Sequence, residues 1–180
     1  MLIFTGRFQP FHNGHLSIIK KLNKKYPNET ICIAVIKDFP TNQIKNEFDL
    51  IVDSMLVKEK NPFDSEMVLN MIEKTLINEN IKNTVVTLMP RASKNTWPII
   101  LKLFDTNRQW VFTDDEIQID DWENKKINFY RSQGEDIITI SIKKNIDGSM
   151  LRDLYKTKNF EEIAKYVPTA VLEYLKQLEE

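Results

Sequence analysis

The chain has 180 residues and is 42% hydrophobic, enough to bury one substantial core, and a single domain spanning residues 1–180 is the expectation. Lys and Arg number 25 against 26 Asp and Glu, so a net charge of -1 excludes any global attraction to nucleic acid or an anionic membrane and makes phosphate recognition a local matter. No run approaches the ~18 apolar residues of a membrane span, no basic region precedes an apolar stretch at Met1, and the one cysteine, Cys32, sits in an apolar run as a core side chain would, all of which fits a cytoplasmic, reducing location.

Short apolar runs alternate with longer amphipathic segments. Strands are expected at Leu2 to Thr5, Thr30 to Lys37, Thr84 to Met89, Trp110 to Thr113 and Asp136 to Ile142, with helices after Gly14, after Phe63 and near Asn95 to Phe104. This alternation predicts an α/β fold with a Rossmann-like, doubly wound parallel sheet of about five strands. Beyond residue 148 the pattern turns helical at Ser149 to Tyr155, Phe160 to Tyr166 and Thr169 to Leu178, with Pro168 placed to set a first turn. The chain thus divides into an α/β core, 1–148, and a helical tail, 149–180. The stretch from Asp38 to Asn61 is irregular and reads as a helical insertion or a lid.

Directly after the first strand comes Gly6-Arg7-Phe8-Gln9-Pro10-Phe11-His12-Asn13-Gly14-His15, followed by an amphipathic helix, and both histidines of the protein fall in it. In an open parallel sheet, ligands bind beyond the carboxyl ends of the strands, where a helix start offers unpaired N–H groups to phosphate. Gly6 and Gly14 allow close backbone approach, and imidazoles can donate hydrogen bonds to phosphate oxygens and to charge developing on a transferring group. The bland alternatives are a surface pair or half a metal site, and the second lacks further Cys or His ligands. Late in the chain, Ile146-Asp147-Gly148-Ser149-Met150-Leu151-Arg152 offers a serine entering a helix as a cap, and an arginine able to hold phosphate by two parallel hydrogen bonds.

The segment His12-Asn13-Gly14-His15, inside Gly-Arg-Phe-Gln-Pro-Phe-His, resembles the phosphate-binding loop of the HxGH nucleotidyltransferases. Residues 146–152 are similar to that family's second motif, I-S-x-S/T-x-x-R, with Asp147 standing where the family usually has a hydroxyl. A carboxylate there repels a triphosphate unless it faces Mg²⁺ or turns away to cap the helix. Within the family the spelling most resembles the archaeal-type nicotinamide-mononucleotide adenylyltransferases, helped by Asn61-Pro62-Phe63 before a helix, by Trp97, and by Tyr166-Val167-Pro168-Thr169-Ala170-Val171. Met67 and Val68 depart from the arginine expected after Asn-Pro-Phe.

The resemblance implies transfer of AMP from ATP to nicotinamide mononucleotide, giving NAD and pyrophosphate by in-line attack, with Mg²⁺ as cofactor and no dedicated protein metal site. It implies His12, His15 and Arg152 as catalytic residues, and Gly6, Arg7, Phe8, Gln9, Pro10, Phe11, Gly14 and Ser149 as nucleotide-binding ones. Trp97, Thr113 and Asp114 are the acceptor-binding candidates, Trp97 as a stacking platform for a pyridinium ring or else as a core residue. The acidic run Asp114-Asp115-Glu116 reads as acceptor recognition, a metal contact or, first of all, a cap for the next helix. The same phosphate apparatus would also serve a cytidylyltransferase, an adenylyltransferase of another small phosphorylated acceptor, or a non-catalytic nucleotide sensor. The partners expected are therefore ATP and a small phosphorylated acceptor, with no nucleic acid or membrane and with room for a homo-oligomer. Lys20-Lys21 and Lys24-Lys25 read as solvated helix surface, and Lys143-Lys144 as a basic pair before the second motif.

Overall fold

A computed structural model describes residues 1–37, 60–104, 106–115, 121–142 and 145–179. Most of the 38–60 segment, Glu116 and the Lys143-Lys144 pair lie outside the described residues. The strands are β1 (Leu2–Gly6), β2 (Ile31–Lys37), β3 (Thr84–Pro90), β4 (Gln109–Asp115) and β5 (Ile137–Ile142). The helices are α1 (Asn13–Lys25), α2 (Ser65–Asn78), α3 (Trp97–Leu103), α4 (Asp121–Ser132), α5 (Gly148–Lys156), α6 (Phe160–Ile163) and α7 (Thr169–Gln177).

All strand pairs are parallel, in the order β3-β2-β1-β4-β5, and the five-strand expectation is met. The period of two along each strand sends alternate residues to opposite faces. Leu2 and Phe4 of β1 join Ile31, Ile33 and Val35 of β2 on one face, where α1, α2 and the C-terminal helices cover them. Ile3, Cys32 and Ala34 point the other way, into a second core with Trp97, Ile100, Trp110 and Tyr130 from α3, β4 and α4. Being buried on both faces is why β1 and β2 read as near-continuous apolar runs. Burial pushes the Cys32 thiol up to about 12, which leaves it an inert core group.

The helix α4 was not anticipated by the apolar pattern, although two successive parallel strands demand a crossover. It is the next helix, between β4 and β5, that the acidic run was expected to cap. Thr113, Asp114 and Asp115 instead belong to β4 itself, several residues before α4 begins, so they do not cap it. Their carbonyls and amides are engaged in the ladder with β5.

The sheet order places the crossover from one direction of winding to the other between β1 and β4, where the chain leaves β1 toward α1 and β4 toward α4. Such a switch point opens a crevice at the carboxyl ends of the strands. The tail then closes one flank. Leu151, Ile163, Val167, Val171 and Leu175 pack into the core on the α1 side, and the N–H of Asn13, the first residue of α1, donates to the Tyr166 carbonyl at 2.8 Å. One of the unpaired donors of that helix start is therefore satisfied by the tail.

Candidate active site

A cleft of about 840 Å³ lies over the switch point, within the range of small-molecule sites. The β1–α1 loop, the end of β4, α4, and the segment entering α5 line it. The sequence motifs of residues 6–15 and 146–152, more than a hundred residues apart, meet here.

The histidines are fixed by the helix start itself. His12 is the N-cap of α1, and its Nδ1 accepts from the Gly14 N–H at 3.1 Å. His15, at the third helical position, turns back so that its Nδ1 accepts from the His12 N–H at 3.3 Å. This is a capping box built from two imidazoles in place of Ser and Glu. Because each Nδ1 accepts from a backbone N–H, the neutral form of each ring carries its proton on Nε2.

Packing holds the pair in place. The two rings stack with centroids 3.6 Å apart, Phe11 stacks behind His15 at 5.6 Å, and Phe8 meets His15 edge-on at 4.9 Å. Burial, reinforced by the neighbouring His12, holds His15 well below the usual imidazole value of 6.5. Gly14 is required by this arrangement, since a Cβ there would sit 2.9 Å from ring atoms of His12.

Residues expected to touch nucleotide divide into two groups. Gly14, Arg7, His12, His15, Ser149 and Arg152 line the cleft. Phe8, Gln9 and Pro10 also border it although each is buried, while Phe11 is fully buried away from the lining and stacks on His15. Gly6 lies against the Phe8 ring, which would be 3.0 Å from an added Cβ. The Gln9 amide is turned to the backbone of Phe63 and not toward the cleft's phosphate donors.

In the second motif, Asp147 and not Ser149 is the cap of α5. Its carboxylate accepts from the Ser149 N–H at 2.9 Å and from the Ser149 hydroxyl at 2.7 Å. The carboxylate is the shorter reach to the helix N–H groups, and the serine at the second helical position becomes its partner. Arg152, one turn further, donates from Nη1 to the Gln9 carbonyl at 2.8 Å.

Thr113 reaches the cleft at the end of β4, whereas Asp114 is not among its lining residues. Trp97 is 5% exposed, with Trp110, Phe129 and Tyr130 rings within 5.1–5.9 Å, and the structure gives it a packing role in the second core in place of an acceptor platform.

Four charged cleft residues escaped the sequence reading: Lys21, Lys60, Glu123 and Lys126. Lys21 belongs to a run taken as solvated surface, and its Nζ donates to the Ser141 carbonyl at 3.4 Å. Lys126 lies 5.2 Å over the Phe112 ring and 3.8 Å from Glu123. Both sit on α4, whose crossover role was the one available signal. Among the described residues the cleft is lined by the cations Arg7, Lys21, Lys60, Lys126 and Arg152 against the carboxylates Glu123 and Asp147, a local positive excess in a chain of net charge -1. Among the described residues there is no group of three or more His, Cys, Asp or Glu able to hold a metal ion, and no helix long and apolar enough to cross a membrane.

Residues 3–178 match the family model described as cytidylyltransferase-like. The chain belongs to that family. A curated relative, nicotinamide-nucleotide adenylyltransferase of Sulfurisphaera tokodaii, is 26% identical over 98% of this chain and 90% of its own length. Among solved structures, the nicotinic acid mononucleotide adenylyltransferase of Plasmodium falciparum, complexed with NaAD, superposes with a TM-score of 0.57 at 15% identity over 98% of this chain and 94% of its own. The bifunctional NMN adenylyltransferase/ADP ribose pyrophosphatase of Francisella tularensis, complexed with AMP and a manganese ion, gives 0.53 at 20% identity over 87% of this chain, which spans 41% of that protein's length. These likenesses establish the cytidylyltransferase-like fold of the chain, a nucleotidyltransferase architecture.

Proposed function

We propose that this protein transfers the adenylyl group of ATP to nicotinamide mononucleotide, giving NAD and pyrophosphate. A phosphate oxygen of the acceptor bonds to the α-phosphorus as the bond from that phosphorus to the bridging oxygen of the β-phosphate breaks, so pyrophosphate leaves and no enzyme-bound intermediate forms. The observation that carries this reading is the convergence of the two capping imidazoles and Arg152 on one cationic cleft at the start of α1. The nucleophile is already anionic, so the protein's task is positioning and stabilisation of charge, which donors fixed before the reaction perform without reorganisation. The acceptor is that of the nicotinamide-nucleotide adenylyltransferase of Sulfurisphaera, which aligns over nearly the whole chain. The tail's packing on the same core as α1 supports reading residues 1–180 as one nucleotidyltransferase domain.

Magnesium fits the described donors as a companion of the triphosphate and not as a resident ion. Asp147 already caps α5, and Glu123 lies beside Lys126, so among the described residues no carboxylate cluster presents itself. Mg²⁺ is commonly held by substrate phosphates and water, and bound in that way it neutralises charge on the departing pyrophosphate.

The test is incubation with Mg²⁺ and ATP, CTP, GTP or UTP against nicotinamide mononucleotide, nicotinate mononucleotide, phosphopantetheine and phosphocholine, reading pyrophosphate and product mass. NAD as the preferred product is expected. Product from CTP alone, or from another acceptor alone, would overturn the substrate assignment, and binding without turnover would favour a nucleotide sensor.

A further inference from the structure

We infer that Gln9 is a positioning residue that ties Arg152 to the segment entering α2, so that Asn61 to Phe63 form a third part of the catalytic frame. The inference rests on the reading of the cleft as a nucleotide site. Gln9 is 8% exposed, and its side chain grips one residue twice: Nε2 donates to the Phe63 carbonyl at 2.7 Å, and Oε1 accepts from the Phe63 N–H at 3.1 Å. Phe63 precedes the N-cap of α2, Asp64, and is itself 2% exposed, so its backbone groups fall outside the helix's own hydrogen bonds. Without the Gln9 amide, both would be buried and unsatisfied.

The same residue's backbone carbonyl accepts from Arg152 Nη1 at 2.8 Å, and among the described residues this is the hydrogen bond that Arg152 makes. Gly148 leaves the gap this contact needs, for a Cβ there would lie 3.1 Å from Arg152 Nη1 and 3.4 Å from the Gln9 carbonyl oxygen. A parallel tie runs from Arg7 Nη1 to Asn61 Oδ1 at 3.0 Å. The amide of Gln9 therefore fixes the height of its own carbonyl, and the carbonyl aims one edge of the guanidinium, leaving the other N–H groups for phosphate. A planar fork is useful only when aimed, which is why its orientation is held from outside α5.

The experiment is a double-mutant cycle of Gln9→Met with Arg152→Ala, read by calorimetric titration of ATP in the presence of Mg²⁺ without acceptor, alongside the unfolding temperature. Gln9→Met should weaken ATP binding by about tenfold in the native background and by less than about threefold when Arg152 is absent, because the loss runs through the arginine. The unfolding temperature should fall equally in both backgrounds, the part a purely structural role would produce. Gln9→Glu, which retains the acceptor for the Phe63 N–H, serves the same cycle if Gln9→Met does not fold. Equal weakening of ATP binding in both backgrounds, or none in either, would overturn the inference. The titration needs no acceptor, so failure of the acceptor assignment in the product assay leaves this result distinct.

Discussion

The backbone N–H of His12 donates to Nδ1 of His15 while the two imidazoles lie stacked at 3.6 Å, so the nitrogen that would take up a proton is already an acceptor. Burial and the neighbouring imidazole both oppose the charged form, and His15 titrates well below 6.5. The native state then binds fewer protons than the unfolded chain in the interval between the lowered value and 6.5. The stability this contributes is complete above about 6.5 and is lost as pH falls through the lowered value. The expected outcome is a Tm that declines on acidification below 6.5, with a shallower decline in His15→Asn, which keeps an acceptor near the His12 N–H but has no proton to take up. Parallel pH slopes in the two proteins would refute it. The same variant should lower kcat by about 10²–10³ with a smaller change in the KM for ATP, as loss of one preorganised donor does.

Gly14 faces His12 so closely that any side chain must move the ring. Gly14→Ala places a methyl group 2.9 Å from His12 ring atoms, and the ring cannot yield without leaving His15 and its own contact with the Gly14 N–H. A loss of about 1–3 kcal/mol by denaturant unfolding is expected from the overpacking, together with a fall in kcat larger than the change in stability would suggest. A variant with native stability and turnover would show that the stacked pair is not needed in this geometry.

Much of this frame was legible in the chain, and the reasons differ by element. The runs Leu2 to Thr5 and Thr30 to Lys37 announce buried parallel strands because they lack polar alternation, and the glycine-histidine loop follows the first of them at the edge where ligands bind. The helix α4 stayed hidden because Asp121, Glu123, Lys125 and Lys126 crowd its first half, and its buried anchor, Tyr130, comes near its end. Glu123 and Lys126 stayed hidden with it. The grip of Gln9 on Phe63 joins residues 54 positions apart, and no periodicity encodes a contact between an amide and a backbone that distant. Asp147 was recognised as a departure, but only the geometry shows its carboxylate turned onto the serine two residues later.

That cap carries a charge cost for any triphosphate in the cleft. Asp147→Asn retains an oxygen that can accept from the Ser149 N–H, so Tm should change by no more than the few degrees that about 1 kcal/mol represents. Removing the carboxylate from a cleft that binds polyanions should lower the KM for ATP several-fold at low salt, and the gain should shrink as ionic strength rises. An increase in KM would mean that the carboxylate serves the nucleotide complex directly.

Trp97 separates packing from recognition. Its ring makes edge contacts with Phe129 and Tyr130 at 5.6 and 5.1 Å and a tilted one with Trp110 at 5.9 Å, all within the core on the α3 and α4 side of the sheet. Trp97→Ala should therefore cost about 3–5 kcal/mol of stability, the range for emptying an aromatic site in a core. Trp97→Phe keeps a ring in place and should lose less than half of that. Since the indole does not line the cleft, the KM for the acceptor in Trp97→Phe should stay within about twofold of wild type, because loss of a stacking platform would weaken a cationic ring by ~1 kcal/mol or more. Steady-state kinetics at saturating ATP, set beside denaturant unfolding of the same variants, decide the matter: a raised acceptor KM without loss of stability would return Trp97 to the binding site.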